Sequence, residues 1–278
     1  MAPQAGSIYR SWVDSVNARN WDEALNLLAP SVEYNSHESS SEAAVGLIKA
    51  HITETMPDNK TDIDTLVVDR SGLKVAARLI HHATLAKPYK KAEVTGKPIE
   101  WAENVWTYFN EDGKIVKIIS ISDSEAINRN TESVPRTPAE PRSLPAEPQN
   151  LALAYQTYMQ SMQAGTMAVE FPKFIHPTSY HNNVPLTIPH LMGLLANIFG
   201  SIQDLDVKLL DLIVDEDSQQ IAGRFQFGGL PNKEFFGIPP TGKTVQFTEH
   251  PLYQIHEGKI LRVWTLHDLE AYRKCLEA

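Results

Sequence analysis

The sequence predicts an α+β protein made of two tandem copies of one unit. Three observations predict it. Matching residues recur at a near-constant interval across the two halves of the 278-residue chain, a proline-rich stretch divides those halves, and in each half helical periodicity precedes antiparallel strands. Tyr9 answers Tyr155, Trp12 answers Tyr158, Val16 answers Met162, Tyr34 answers Tyr180 and Arg78 answers Arg224, each 146 residues on. Thr95-Gly96-Lys97 answers Thr241-Gly242-Lys243 at the same interval. Gly113-Lys114-Ile115 then answers Gly258-Lys259-Ile260, and Asp123 answers Asp268, at 145. Chance matches do not keep register over a whole domain. Between the copies, residues 131–149 hold Pro135, Pro138, Pro141, Pro145 and Pro148, a spacing that excludes helix and ladder pairing and suits an extended spacer. The expected domains are 5–128 and 150–278, joined by a linker over 129–149.

Each copy opens with an amphipathic helix, marked by Ile8, Trp12 and Val16 in the first and by Leu151, Tyr155, Met159 and Met162 in the second. A short helical piece follows (Trp21 to Leu28, and Met167 to Ile175), then a strand carrying Tyr34 or Tyr180. A third helix is expected over Ser41 to Thr55 and over Ile188 to Phe199. Three or four antiparallel strands complete the unit, from alternating or β-branched runs such as LKVAARLIHHATL and QQIAGRFQF. The last two form a hairpin, Trp101–Phe109 with Ile115–Asp123 and Phe247–Ile255 with Ile260–Asp268. Gly113 and Gly258 supply the residue that tolerates positive φ in the turn.

Composition narrows the function. Lys and Arg number 25 against 34 Asp and Glu, a net charge of −9 that argues against a nucleic-acid or anionic-membrane surface. No apolar run approaches the roughly 20 residues that span a bilayer. The first residues lack a basic region followed by an apolar core, and the single cysteine, Cys275, can make neither an internal disulfide nor a thiolate zinc site. A reducing, cytoplasmic setting is expected.

Directly opposed residues of an antiparallel pair share a face. With Ile255 opposite Ile260, Tyr253 opposes Arg262, Glu249 opposes Leu266 and Phe247 opposes Asp268. Alternation then puts Glu249, Tyr253, Trp264 and Asp268 together. The same construction opposes Phe109 to Ile115, Glu103 to Ile121 and Trp101 to Asp123. Each copy is therefore expected to carry two carboxylates on neighbouring strands among aromatics. A carboxyl group between apolar walls loses hydration of its charged form, and a second acid beside it separates the two titrations into an acid and a base. Carboxylates at strand ends can equally be plain solvated groups.

The stretch Phe235-Phe236-Gly237-Ile238-Pro239-Pro240-Thr241-Gly242-Lys243 resembles the entry to the hairpin of SnoaL-like polyketide cyclases. Gly258-Lys259-Ile260, then Trp264 and Asp268, resembles that family's closing pattern. The resemblance implies two tandem cone-shaped α+β barrel domains, each a curved antiparallel sheet with helices covering its concave face around an apolar pocket. It carries the family's acid–base aspartate to Asp268 and, through the repeat, to Asp123. The first copy departs from the pattern: Val94-Thr95-Gly96-Lys97 lacks the Pro-Pro, Ile119 replaces the Trp, and His37, His81 and His82 have no counterpart in the second. The second copy is the more orthodox and the expected active one.

The resulting expectation is a cofactor-independent cyclase or isomerase acting on an apolar, oxygenated small molecule of polyketide or terpenoid type. Asp268 and Glu249, and by the repeat Asp123 and Glu103, are the candidate acid–base groups. Tyr180, Phe247, Tyr253, Trp264 and Arg224, with Tyr34 and Trp101 in the first copy, are the candidate substrate contacts. Epoxide hydrolysis by two carboxylates and an arginine (Arg78 or Arg224), or a non-catalytic ligand-binding or dimerisation module, are the alternatives. No metal is expected, because the histidines lack ligand spacing, and no nucleotide-binding or serine-hydrolase motif occurs. The two copies are expected to pair within the chain as a pseudo-dimer or between chains as a homodimer.

Overall fold

The computed structural model describes residues 5–139, 144 and 150–277. It divides into two compact units, Met1–Pro138 and Ala139–Ala278. The first unit runs α1 (Ala5–Asn17), α2 (Trp21–Leu27), β1 (Leu28–Tyr34), β2 (His37–Ser40), α3 (Ser41–Thr55), β3 (Lys60–Val68), β4 (Lys74–Thr84), β5 (Pro98–Phe109), β6 (Ile115–Ser122) and α4 (Ser124–Asn128). Its open sheet has the order β2-β1-β6-β5-β4-β3. The four strands β3 to β6 are antiparallel, whereas β1 joins β6 in parallel. The second unit runs α5 (Leu151–Gln163), α6 (Met167–Phe174), β7 (Ile175–His181), β8 (Val184–Thr187), α7 (Ile188–Phe199), β9 (Ile202–Asp215), β10 (Gln220–Pro231), β11 (Val245–Glu249), β12 (Leu252–His256), β13 (Lys259–Trp264) and α8 (Leu269–Glu277). There His250-Pro251 splits the strand that corresponds to β5 into β11 and β12.

Local chemistry accounts for the elements. Asn20 caps α2 and Ser40 caps α3, each accepting a backbone N–H three residues on. Asn35-Ser36 and Asn182-Asn183 take positive φ in the two-residue turns between β1 and β2 and between β7 and β8. The apolar stripe of α1 buries Tyr9, Trp12 and Val13 against Val105, Phe109 and Ile115 of the sheet, one side of the unit's main core.

Two details correct the expected register. The hairpin starts as predicted, with Phe109 opposite Ile115 and Ile255 opposite Ile260. A bulge at the next step then shifts each pair by one. Glu103 therefore faces Ser122 instead of Ile121, and Tyr253 faces Val263 instead of Arg262. The repeat also slips locally: Tyr34 pairs with Ile118 while His181 pairs with Val263, so the folded counterpart of Tyr34 is His181, not Tyr180.

The expected spacer begins as part of the first unit. Thr131 accepts from the Glu100 N–H, and Glu100 binds the Val134 N–H and Arg136. Arg78 donates to the Pro135 carbonyl at 2.9 Å, and the Thr137 N–H donates to Asp64 at 2.8 Å. Pro141, Pro145 and Pro148 lie outside the described residues.

Candidate functional site

The chemistry of the first unit gathers between the inner face of β3–β6 and the helices α1 and α3, around a cavity of about 540 Å³. Alternation along β5 sends Trp101, Glu103, Val105 and Thr107 into it. His81 on β4 lies directly across from Trp101 and stacks on its ring, with centroids 4.9 Å apart and planes inclined by 12°. Its Nε2 stands 2.9 Å from Glu103 Oε2, and its Nδ1 stands 3.0 Å from the Thr61 hydroxyl on β3. The Ser122 hydroxyl donates to the other Glu103 oxygen at 3.3 Å. Thr61 is itself held by Asn17, whose side chain exchanges hydrogen bonds of 2.8 Å with the Thr61 backbone N–H and carbonyl.

This setting decides the charge of Glu103. Burial works to raise its carboxyl pKa, but the hydrogen bond and charge of His81 and the hydroxyls of Ser120 and Ser122 outweigh it and hold the group below the ordinary glutamate value. Two tyrosines line the same cavity. Burial and the charge of Glu103 push the Tyr9 and Tyr34 hydroxyls up, so both stay neutral donors. Tyr34 sits at the half-exposed rim with its hydroxyl 3.1 Å from Ser120, and Tyr9 is buried. A carboxylate, a stacked imidazole and neutral phenols among apolar walls can move a proton next to a carbonyl and stabilise the oxyanion that results. Among the described residues, no group of His, Cys, Asp and Glu is arranged to hold a metal ion.

The model of the SnoaL-like polyketide cyclase family matches residues 6–131 and 152–274. The chain belongs to that family. Among solved structures, it is similar to a SnoaL-like polyketide cyclase from Agrobacterium tumefaciens at 29% identity, covering 46% of this chain and 98% of that one, with a TM-score of 0.43. TsrD from Streptomyces laurentii (21% identity, 47% and 98% covered, TM-score 0.40) and IdmH from Streptomyces antibioticus (17%, 47% and 100%, 0.40) are also similar. No curated protein sequence matches the chain. Among the described residues, no helix is long and apolar enough to cross a membrane.

The two SnoaL-like units differ at the site. The second, expected to be the active one, holds a pocket of only about 80 Å³. Phe225, Phe227, Tyr253 and Val207 stand where the first SnoaL-like unit has Leu79, His81, Thr107 and Thr61, and the added ring volume fills the space. Glu249 keeps the place of Glu103, with Thr265 donating to it at 2.7 Å and the His267 Nε2 standing 3.5 Å from it. Burial lowers the pKa of His267.

The structure distributes the other candidates as follows. Asp123, just after β6, and Asp268, four residues beyond β13, cap α4 and α8, accepting the Ala126 and Ala271 N–H groups at 2.9 Å; neither lines the large cavity or the small pocket. Phe247 sits in an aromatic core with Phe227, Phe235 and Tyr272. Tyr253 walls the small pocket, whereas Tyr180 and Trp264 turn to the other face and pack around the Arg262 guanidinium. Arg224 lies opposite Asp211 on β9, and Arg78 pairs with Asp64 at 2.6 Å, so neither arginine reaches a pocket. Of the candidates, Glu103, Trp101 and Tyr34 come together in the large cavity. Sequence reasoning missed Thr61, Tyr9, Ser120 and Ser122. His81 carried one signal, as a histidine that the second copy lacks.

Proposed function

We propose that the first unit is a cofactor-independent cyclase or isomerase acting on an apolar, oxygenated small molecule of polyketide or terpenoid type. The observation that carries this reading is the 2.9 Å His81–Glu103 pair on the wall of a largely apolar cavity of about 540 Å³, within the range of small-molecule sites. Ionised Glu103 takes a proton from the carbon next to a substrate carbonyl. The C–H electron pair becomes a carbon–carbon double bond as the carbonyl π pair moves onto oxygen, giving an enolate that the neutral Tyr34 or Tyr9 hydroxyl stabilises by donation. The enolate carbon then attacks a second carbonyl of the same molecule, a carbon–carbon bond closes the ring, and the new alkoxide recovers the proton from Glu103. Return of the proton to a different carbon gives isomerisation instead. His81 positions the carboxylate and donates to it through Nε2, with Nδ1 held by Thr61.

The test is hydrogen–deuterium exchange at the α-carbon of 2-tetralone, an apolar bicyclic ketone, in D2O. Glu103→Gln is expected to slow catalysed exchange by about 10²–10⁴-fold, while Glu249→Gln leaves it near the wild-type rate. Full exchange in Glu103→Gln overturns the assignment.

A further inference from the structure

Glu103 has a second hydrogen-bonded route, which leads away from His81 toward solvent. The Ser120 hydroxyl bonds the Glu103 carboxylate, and the Tyr34 hydroxyl stands 3.1 Å from the same Ser120 oxygen. Tyr34 is 42% exposed, so this chain of groups begins at a carboxylate in the cavity wall and ends at the rim. The route through His81 leads inward instead, since Thr61 is buried and its hydroxyl next meets the side-chain amide of buried Asn59 at 3.5 Å. A clasp fixes Ser120. The Asn35 N–H donates to the Ile118 carbonyl at 3.0 Å, and the Asn35 side-chain oxygen accepts the Ser120 N–H at 2.8 Å. The second unit repeats the clasp with Asn182, Val263 and Thr265, and there the Thr265 hydroxyl donates to Glu249. Both units thus hold a hydroxyl against the carboxylate, with Tyr34 at the outer end in the first and His181 in its place in the second.

An apolar substrate seated in the cavity displaces water from Glu103, and a proton taken from carbon then needs another way out. We propose that Ser120 is a proton relay, passing the proton between Glu103 and Tyr34, whose hydroxyl exchanges it with water at the rim. While Glu103 is ionised, Tyr34 donates to Ser120 and Ser120 donates to the carboxylate. Once Glu103 has taken the proton, both hydroxyls turn about. Glu103 then donates to Ser120, Ser120 to Tyr34, and Tyr34 to a water molecule. Three protons shift one place along this chain, the water leaves as hydronium, and the resting order returns with neither hydroxyl ionised. Buried Tyr9 is left to stabilise the enolate oxygen. The proposal rests on reading Glu103 as the base of this cavity.

The fate of the transferred hydrogen tests it. The probe is Δ9(10)-octal-2-one, an apolar bicyclic β,γ-unsaturated ketone, with deuterium on the carbon between its carbonyl and its alkene, isomerised in H2O to the conjugated ketone. The γ-carbon of the product holds deuterium where Glu103 returned it directly and hydrogen where the relay had already exchanged it. Wild-type protein is expected to wash out most of the label. Ser120→Ala is expected to retain about fivefold more, at a rate within about tenfold of the wild type. Ser120→Thr, which supplies the hydroxyl that the second unit uses, returns retention to the wild-type value, and Tyr34→Phe, which breaks the outer link, raises it. Loss of a merely structural serine slows turnover without changing retention. Most of the label kept by the wild type, wild-type retention in Ser120→Ala or in Tyr34→Phe, or raised retention in Ser120→Thr overturns the relay while isomerisation still depends on Glu103. No isomerisation by the wild type, or an undiminished rate in Glu103→Gln, overturns the reading of Glu103 as the base and the relay with it.

Discussion

Glu103 is a carboxylate with 14% of its side chain exposed, kept ionised by its neighbours, and His81 is the neighbour that contributes most. Its folded pKa lies below the unfolded one, so its contribution to stability is present above the ordinary glutamate range and is lost as pH falls through the depressed folded value. Catalysed exchange is expected to fall along the same acid limb. Replacing His81 with Phe, the residue the second unit has at that place, leaves burial to act with less opposition. A pH–rate profile of His81→Phe is expected to show the acid limb moved to higher pH, and its melting temperature is expected to fall at a higher pH than that of the wild type. The two helix-capping aspartates behave differently. Asparagine caps a helix about as well as aspartate, so Asp123→Asn is expected to keep exchange activity and to shift stability by less than about 0.5 kcal/mol. Asp123→Ala costs about 1 kcal/mol by chemical denaturation. An N-cap role was readable in advance, since aspartate followed by Ser124-Glu125 is a helix-start pattern; the catalytic candidacy came from the family resemblance together with a hairpin register that the bulge shifts by one residue.

At the scale of elements, periodicity made the helices and the closing hairpins legible. The 3.6-residue stripe of α1 and the alternation of β4 and β5 are properties of single segments. The bulges are not. An extra residue in one strand leaves no compositional trace, yet it sets Asp123 beside Ala102 instead of Trp101 and puts Ser122 against Glu103. Likewise Thr61 reaches His81 only because β3 and β4 pair them, a relation between segments 20 residues apart. The strap after α4 is the other relation that composition hid, since prolines fit a docked extended segment as well as a free one. Arg78 and Asp64 are 4% and 5% exposed, and Thr137 closes over their pair. Removing the carboxylate leaves a buried cation with weaker partners, so Asp64→Ala is expected to cost about 3 kcal/mol in urea denaturation. An effect below about 1 kcal/mol would show the strap to be a loose association.

At the scale of the molecule, one duplicated plan has two interiors. The aromatic residues that fill the second unit carry stabilisation that the first unit forgoes. Tyr253→Thr, which copies the first unit, is expected to destabilise the second by about 2–4 kcal/mol through the space it opens, with a further loss because Tyr155 loses its hydroxyl partner. Guanidinium denaturation followed by near-ultraviolet circular dichroism reads this. The parallel pairing of β1 with β6 has a consequence in time. Tyr34 and Ser120 touch across that pair, although 86 residues separate them in sequence. Closing so long a loop is among the slowest steps open to a chain of this topology. The rim of the cavity therefore cannot exist while the first unit is still being synthesised. It forms only once β6 is available to pair with a strand made near the start, which makes completion of the cavity the last event in the synthesis of the first unit.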